Sequence, residues 1–198
     1  MAQVLRVGID FSLSSPALYA RDCDEKYYIL CFQQRKTDVE ISNFDVGQNT
    51  YLWRKPYPLD EEFRWEKVVY IIHEVFNWLD LIRGGKPVKA YIENYAFNMG
   101  GGKFGSSSVT KLAELGGILR AELWKRRWEF KELAITSIKL QFAGNGRAEK
   151  YEMAHTFQCL GFPNGIRERL QCEYHQHPLE DVVDAAAVLI TGLVFDKA

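Results

Sequence analysis

Val4-Leu5-Arg6-Val7-Gly8-Ile9-Asp10-Phe11 is an apolar run ending on a carboxylate. It reads as a mostly buried strand that delivers Asp10 to the rim of a sheet. Ser12 to Pro16 punctuates it as a turn. Ala17–Asp22 and Lys26–Gln34 read as two more strands around a short polar connection, Cys23-Asp24-Glu25. Three strands at such close spacing predict an antiparallel meander.

Outward from there the pattern changes. Residues 36–64 lack periodicity and carry aromatics among charges (Tyr51, Trp53, Arg54, Lys55, Tyr57), which reads as an insertion or long loop. From Trp65 an apolar stripe at helical spacing runs through Val68, Ile72, Val75 and Leu79, and Gly84-Gly85 with Pro87 stops it. Val88–Asn94 reads as a strand ending near Glu93, and Asn98–Ser108 as a glycine- and serine-rich loop. Val109–Arg127 reads as a helix, Phe130–Ser137 as a strand and Arg147–Leu160 as a helix. Gly161–His177 reads as a loop before a final helix, Leu179–Phe195. The order βββ-α-β-α-β-α-α predicts a mixed sheet with helices on its faces, in a single domain over 1–198.

Hydrophobic residues make up 47% of the 198, and charged residues 26%. That balance suits a folded globular chain and excludes a disordered one. The net charge is −1, so nucleic-acid binding cannot rest on overall basicity. Local charge is different: residues 97–150 hold ten cations against five anions, which leaves the rest of the chain acidic. Such an asymmetry fits a basic face beside an acidic site, as a phosphate backbone requires. No apolar run is long enough for a membrane-spanning helix, which excludes that class of membrane function. Four cysteines form no C-x-x-C pair and no apolar leader follows Met1, so reduced thiols and a cytoplasmic location are expected.

The final helix carries the chemistry. It opens Pro178-Leu179-Glu180-Asp181-Val182-Val183-Asp184 and continues almost wholly apolar, so it is buried on most sides. Acids in a first turn are expected from the helix dipole, which accounts for Glu180 and Asp181. Asp184 lies three residues on, on the face of Asp181. Buried carboxylates cost several kcal/mol in rough terms unless compensated, and no Arg or Lys occurs between Pro178 and Asp196. A divalent cation is the simplest compensation. Oxygen donors from a strand-end Asp, a strand-end Glu and a helical Asp pair suit Mg²⁺ or Mn²⁺ rather than Zn²⁺. Two such ions in one site activate water and stabilise a leaving oxygen in phosphodiester hydrolysis.

Other readings fail on spacing. Gly100-Gly101-Gly102-Lys103-Phe104 lacks the phosphate-loop pattern, since Phe follows the Lys. An actin-like ATPase needs two such domains. Cys172, His175 and His177 lack a fourth zinc ligand nearby, although His177 is placed close to the carboxylates. Lys125-Arg126-Arg127 reads as a solvated helix exterior. Lys103, with Phe97 and Phe104 beside it, is the better DNA candidate, because a cation and an aromatic in a flexible loop can stack on an unpaired base.

Four blocks resemble the RuvC family of Holliday-junction resolvases, within the RNase H-like superfamily. They are Val7–Asp10, Tyr91–Asn94, Ile138–Lys150 and Asp181–Ala187. The third is the most specific, since it is similar to the family's V-K-x-x-x-x-G-x-G-x-A-x-K stretch in order and spacing. The resemblance implies a RuvC-type mixed five-stranded sheet flanked by helices, with Asp10, Glu93, Asp181 and Asp184 as a metal-binding catalytic tetrad. Lys150 would stand near the scissile phosphate. Lys139 would contact DNA, and Lys103, Tyr95, Phe97 and Arg147 complete the candidate DNA-binding set. It further implies a homodimer holding two Mg²⁺ or Mn²⁺ ions per site, which nicks branched DNA (four-way junctions, and also forks and flaps) to leave 5′-phosphate ends. The family's aromatic three residues after the catalytic Glu is Ala96 here, between Tyr95 and Phe97. That departure and the long glycine loop resemble phage-type members, acting in a bacterial or phage-infected cytosol. A broader RNase H-like nuclease cutting flaps, forks or RNA–DNA hybrids, and a non-catalytic branched-DNA scaffold, stand as alternatives.

Overall fold

A computed structural model of the chain describes residues 3–12, 16–34, 42–57, 64–94 and 106–197. Seven strands form one sheet: β1 (Leu5–Asp10), β2 (Ala17–Arg21), β3 (Tyr27–Gln34), β4 (Ser42–Gly47), β5 (Thr50–Tyr57), β6 (Val88–Asn94) and β7 (Glu129–Ala134). Their spatial order is β4-β5-β3-β2-β1-β6-β7. The meander is present, with β1 antiparallel to β2 and β2 to β3, while β6 and β7 add in parallel to β1. The helices are α1 (Arg64–Arg83), α2 (Ser106–Lys125), α3 (Ile135–Ala143), α4 (Lys150–Cys159), α5 (Gly165–Leu170) and α6 (Leu179–Phe195). Among the described residues no helix is long and apolar enough to cross a membrane.

Strand alternation sorts the sheet into two faces. Leu5, Val7 and Ile9 of β1 pack with Ala90 and Ile92 of β6 against Val75, Phe76 and Leu79 of α1 and Leu115, Leu119 and Leu123 of α2. On the other face Tyr19, Ile29, Leu52, Tyr91 and Leu133 meet Phe142 of α3, Phe157 of α4, Ile166 of α5 and the apolar length of α6. Asp10 and Glu93 fall in the alternation of this second face.

Two glycine contacts let α6 lie close on the strands. A Cβ on Gly8 would stand 2.3 Å from the Ala185 carbonyl oxygen and 2.4 Å from the Leu189 nitrogen. One on Gly192 would stand 2.2 Å from the Tyr91 ring. Both distances are below any tolerated contact, so the helix axis can approach β1 and β6 only because these side chains are absent.

Three expectations are corrected. Residues 42–57, inside the span read as an insertion or long loop, form the β4–β5 hairpin, and β5 pairs in parallel with all of β3 from Tyr27↔Thr50 to Gln34↔Tyr57. Among the described residues the sheet therefore has seven strands rather than five. The strand read over 130–137 stops at Ala134, and Ile135–Ala143 is helical, with Ile138 and Phe142 buried one helical turn apart. The loop read over 161–177 contains α5, whose Gly165 sits against β4: a Cβ there would be 2.6 Å from the Val46 carbonyl oxygen.

Candidate active site

The site forms where β1 and β6 end beside the first turns of α6. Gly8 pairs with Tyr91 and Ile9 with Ile92, so one further step along the register sets Asp10 beside Glu93. Glu93 is in turn paired with Leu133 of β7. Parallel strands present their functional groups at their carboxyl ends, and both acids stand there. Pinned against Gly8, α6 brings Asp181 and Asp184 to the same edge.

The electrostatics show that these four acids share one environment. Burial, then the charges of Asp184, Asp181 and Glu93, push the Asp10 carboxyl well above the usual carboxylate range, with Lys150 pulling the other way. Burial and then Asp184 push Glu93 up to about 7, against Lys139. Burial and then Asp181 push Asp184 up to about 6, with Lys150 and Lys139 opposing. Desolvation and like charge thus both disfavour the ionised forms, and two lysines do not offset them.

The lysines enter through the 138–150 block, whose turn geometry is now explicit. Gly144 closes α3 at φ +74, in the left-handed region that favours glycine. Lys139 Nζ donates to the Ala148 carbonyl at 2.7 Å across the turn. Glu149 and Glu152 then form a reciprocal capping box that starts α4 at Lys150. Lys150 pairs with Glu180. Burial alone would lower its ammonium pKa, but the bond to Glu180 and the charges of Asp184 and Asp181 outweigh it and raise it.

Of the expected site residues, the structure brings together Asp10, Glu93, Asp181, Asp184, Lys150 and Lys139. Arg147 is exposed in the turn between α3 and α4. Tyr95, Phe97 and Lys103 lie outside the described residues. Lys125 and Arg126 are both paired with Glu122, and Arg126 also lies over the Phe76 ring at 4.1 Å, as a helix exterior would have it. Glu180 joins the site unexpectedly, and His177, expected only to lie near the carboxylates, contacts two of them. Glu180 is buried beneath Lys150, and His177 places Nδ1 2.7 Å from Asp181 Oδ2 and Nε2 3.0 Å from Glu180 Oε1. The usual preference for acids in a first turn explained Glu180 away. The position of His177 just before the helix was the one available signal for it.

The donor set fits a divalent cation. His177, Glu180 and Asp181 each offer a ligand atom within 4.8 Å of the others, and the charge of Asp181 acts on both the buried Asp10 and the half-buried Asp184. A cation among them would relieve the repulsion that raises the pKa values of Asp10, Glu93 and Asp184.

In fold the chain is similar to the solved structure of Thermus thermophilus RuvC, with TM-score 0.56 and 16% identity over 98% of this chain and 95% of that one. It is similar to T. thermophilus RuvC in complex with a Holliday junction substrate, with TM-score 0.57 and 16% identity over 98% and 94% of the two chains. The yeast mitochondrial Holliday junction resolvase Ydc2 matches at TM-score 0.55 and 13% identity, over 96% of this chain and 77% of that one. No family model and no curated protein matches the sequence. These likenesses show a RuvC-type, RNase H-like fold.

Proposed function

We propose that the chain is a divalent-metal-dependent endonuclease that resolves four-way DNA junctions by paired nicks, leaving 5′-phosphate ends. The observation that carries this reading is the convergence of Asp10, Glu93, Asp181 and Asp184 on one edge of a RuvC-type sheet, in a setting that disfavours the charges of Asp10, Glu93 and Asp184. Mg²⁺ or Mn²⁺, two per site, would be held by these four acids and would supply activated water and stabilisation of the leaving oxygen. The residues of the chain do the rest. The carboxylates fix the geometry of the site, and Lys150, tethered by Glu180, stands ready for a phosphate oxygen. Lys139 and Arg147 offer further cations to the backbone of the DNA. A homodimer would present two such sites, one for each strand to be cut. The protein would serve to debranch DNA in a bacterial or phage-infected cell.

The competing reading is a broader branched-DNA or RNA–DNA hybrid nuclease. End-labelled four-way junction, Y-fork, RNA–DNA hybrid and linear duplex, each incubated with the protein and Mg²⁺ or Mn²⁺, separate the two. Resolution predicts symmetric paired nicks in the junction at rates well above those on the fork and hybrid. Equal cutting of all branched substrates would replace resolution with the broader activity. Tight junction binding without any cutting would leave a scaffold.

A further inference from the structure

His177 turns both ring nitrogens toward carboxylates, Nδ1 to Asp181 and Nε2 to Glu180, at 2.7 and 3.0 Å. A neutral imidazole has one N–H and one lone pair. It can therefore donate to one of these oxygens, while the other contact sets a lone pair against a lone pair. The arrangement calls for a positive charge, which either a second ring proton or a metal ion bound through one ring nitrogen supplies. Both acids are buried, Glu180 at 6% and Asp181 at 4% exposure, so water does little to screen them. Glu180 Oε1 is shared between His177 and the Lys150 ammonium, which shows that this oxygen already attracts cations.

We propose that His177, Glu180 and Asp181 form one metal position of the site, and that the imidazole makes it select Mn²⁺ over Mg²⁺. The inference rests on the metal-dependent reading above and adds to it a nitrogen ligand and a preference. An all-carboxylate site takes Mg²⁺ and Mn²⁺ alike, whereas imidazole favours first-row transition ions and Mg²⁺ surrenders its waters reluctantly. The three donors are spaced i, i+3 and i+4 across the start of α6, so one face of one helix entry carries all of them. An ion there would compete with Lys150 for Glu180 and release the ammonium toward substrate.

The experiment is pulsed electron paramagnetic resonance of Mn²⁺ added to the metal-free full chain, beside calorimetric titration with Mn²⁺ and with Mg²⁺. Wild type, His177→Ala, His177→Gln and Asp184→Asn are compared, with circular dichroism as the check on folding. Histidine nitrogen coupling to Mn²⁺ is expected in wild type and absent in both His177 variants. The wild-type preference for Mn²⁺, about 10-fold or more, is expected to fall toward parity in them. Mn²⁺ bound without nitrogen coupling, or an undiminished preference in the His177 variants, would overturn the inference. Metal binding lost only in Asp184→Asn would accompany that outcome and leave the proposed nuclease site standing. Failure of wild type to bind either ion would remove both readings. If neither His177 variant folds, the presence or absence of nitrogen coupling in wild type decides the question.

Discussion

The two ends of α6 hold carboxylates in opposite conditions. At its C-terminus Asp196 accepts a 2.5 Å bond from the Tyr91 hydroxyl and lies 3.0 Å from Lys89 Nζ. Burial pushes its carboxyl up, but these two partners outweigh burial and hold it below the usual range. At the N-terminus Asp184 is pushed up to about 6, and Asp10 beside it well above the usual range, because burial and neighbouring acids outweigh two lysines. The same sheet and the same helix make both environments. The chain compensates Asp196 with its own groups and leaves the other end short of positive charge. A satisfied carboxylate serves the fold, and a cluster left unsatisfied at such a cost serves a ligand.

The largest way to break this contrast is at the chemistry. Asp184→Asn keeps size and shape but removes a metal-binding charge. It is expected to reduce junction cleavage on the order of 10³-fold with junction affinity retained, as single-turnover nicking and gel-shift titration would show. Asp196→Asn, at the far end of the same helix, is expected to leave the cleavage rate near that of wild type.

The approach of α6 to the sheet comes next. Gly8→Ala drives a methyl group into the Ala185 carbonyl and the Leu189 backbone, neither of which can give way alone. A loss of about 1–3 kcal/mol in urea unfolding is expected, along with reduced cleavage, because Asp181 and Asp184 move with the helix. Full wild-type stability in Gly8→Ala would mean that the contact is not what seats α6.

Stability against pH sharpens the contrast further, and the signs are opposite. The raised carboxyls of Asp10, Glu93 and Asp184 bind protons more tightly folded than unfolded. The metal-free protein therefore loses stability from this cluster as pH rises from the unfolded carboxylate range near 4 through about 7. Asp184→Asn is expected to raise the metal-free Tm by about 2–4 °C at pH 7, with the gain vanishing toward pH 4. Asp196 has a lowered pKa, so its contribution is present at neutral pH and lost as pH falls through its folded pKa. Asp196→Asn should lower Tm at pH 7. The smallest effect belongs to Tyr91→Phe, which removes the hydroxyl that bonds Asp196 and Arg6. It is expected to cost about 0.5–1.5 kcal/mol with cleavage unchanged.

How much of this was legible in the sequence follows from what each element depends on. β1, β6 and α6 are buried and locally consistent, so their periodicity and terminal acids predicted the position of Asp10, Glu93, Asp181 and Asp184. The bounds of α6, Leu179–Phe195, came directly from its apolar run. The β4–β5 hairpin was hidden because its turn uses Gly47, Gln48 and Asn49 at positive φ, and because charged Arg54 and Lys55 interrupt the apolar pattern of β5. Pairing along the whole of β3 overrides that weak local signal. α3 was hidden because β7 runs into it without a break, and Ala134 offers no capping side chain. His177 and Glu180 were obscured because each has an ordinary explanation alone, and only the fold shows that they share an oxygen with Lys150.

The most direct measurement of the central claim is nicking of a four-way junction labelled on each strand. Wild type and Asp10→Asn would be assayed with Mg²⁺, with Mn²⁺ and with EDTA. The account predicts paired nicks by wild type with either ion, none in EDTA, and none by Asp10→Asn under any condition although the variant still binds the junction. Cleavage that persists in EDTA, or that proceeds in Asp10→Asn at the wild-type rate, would contradict it.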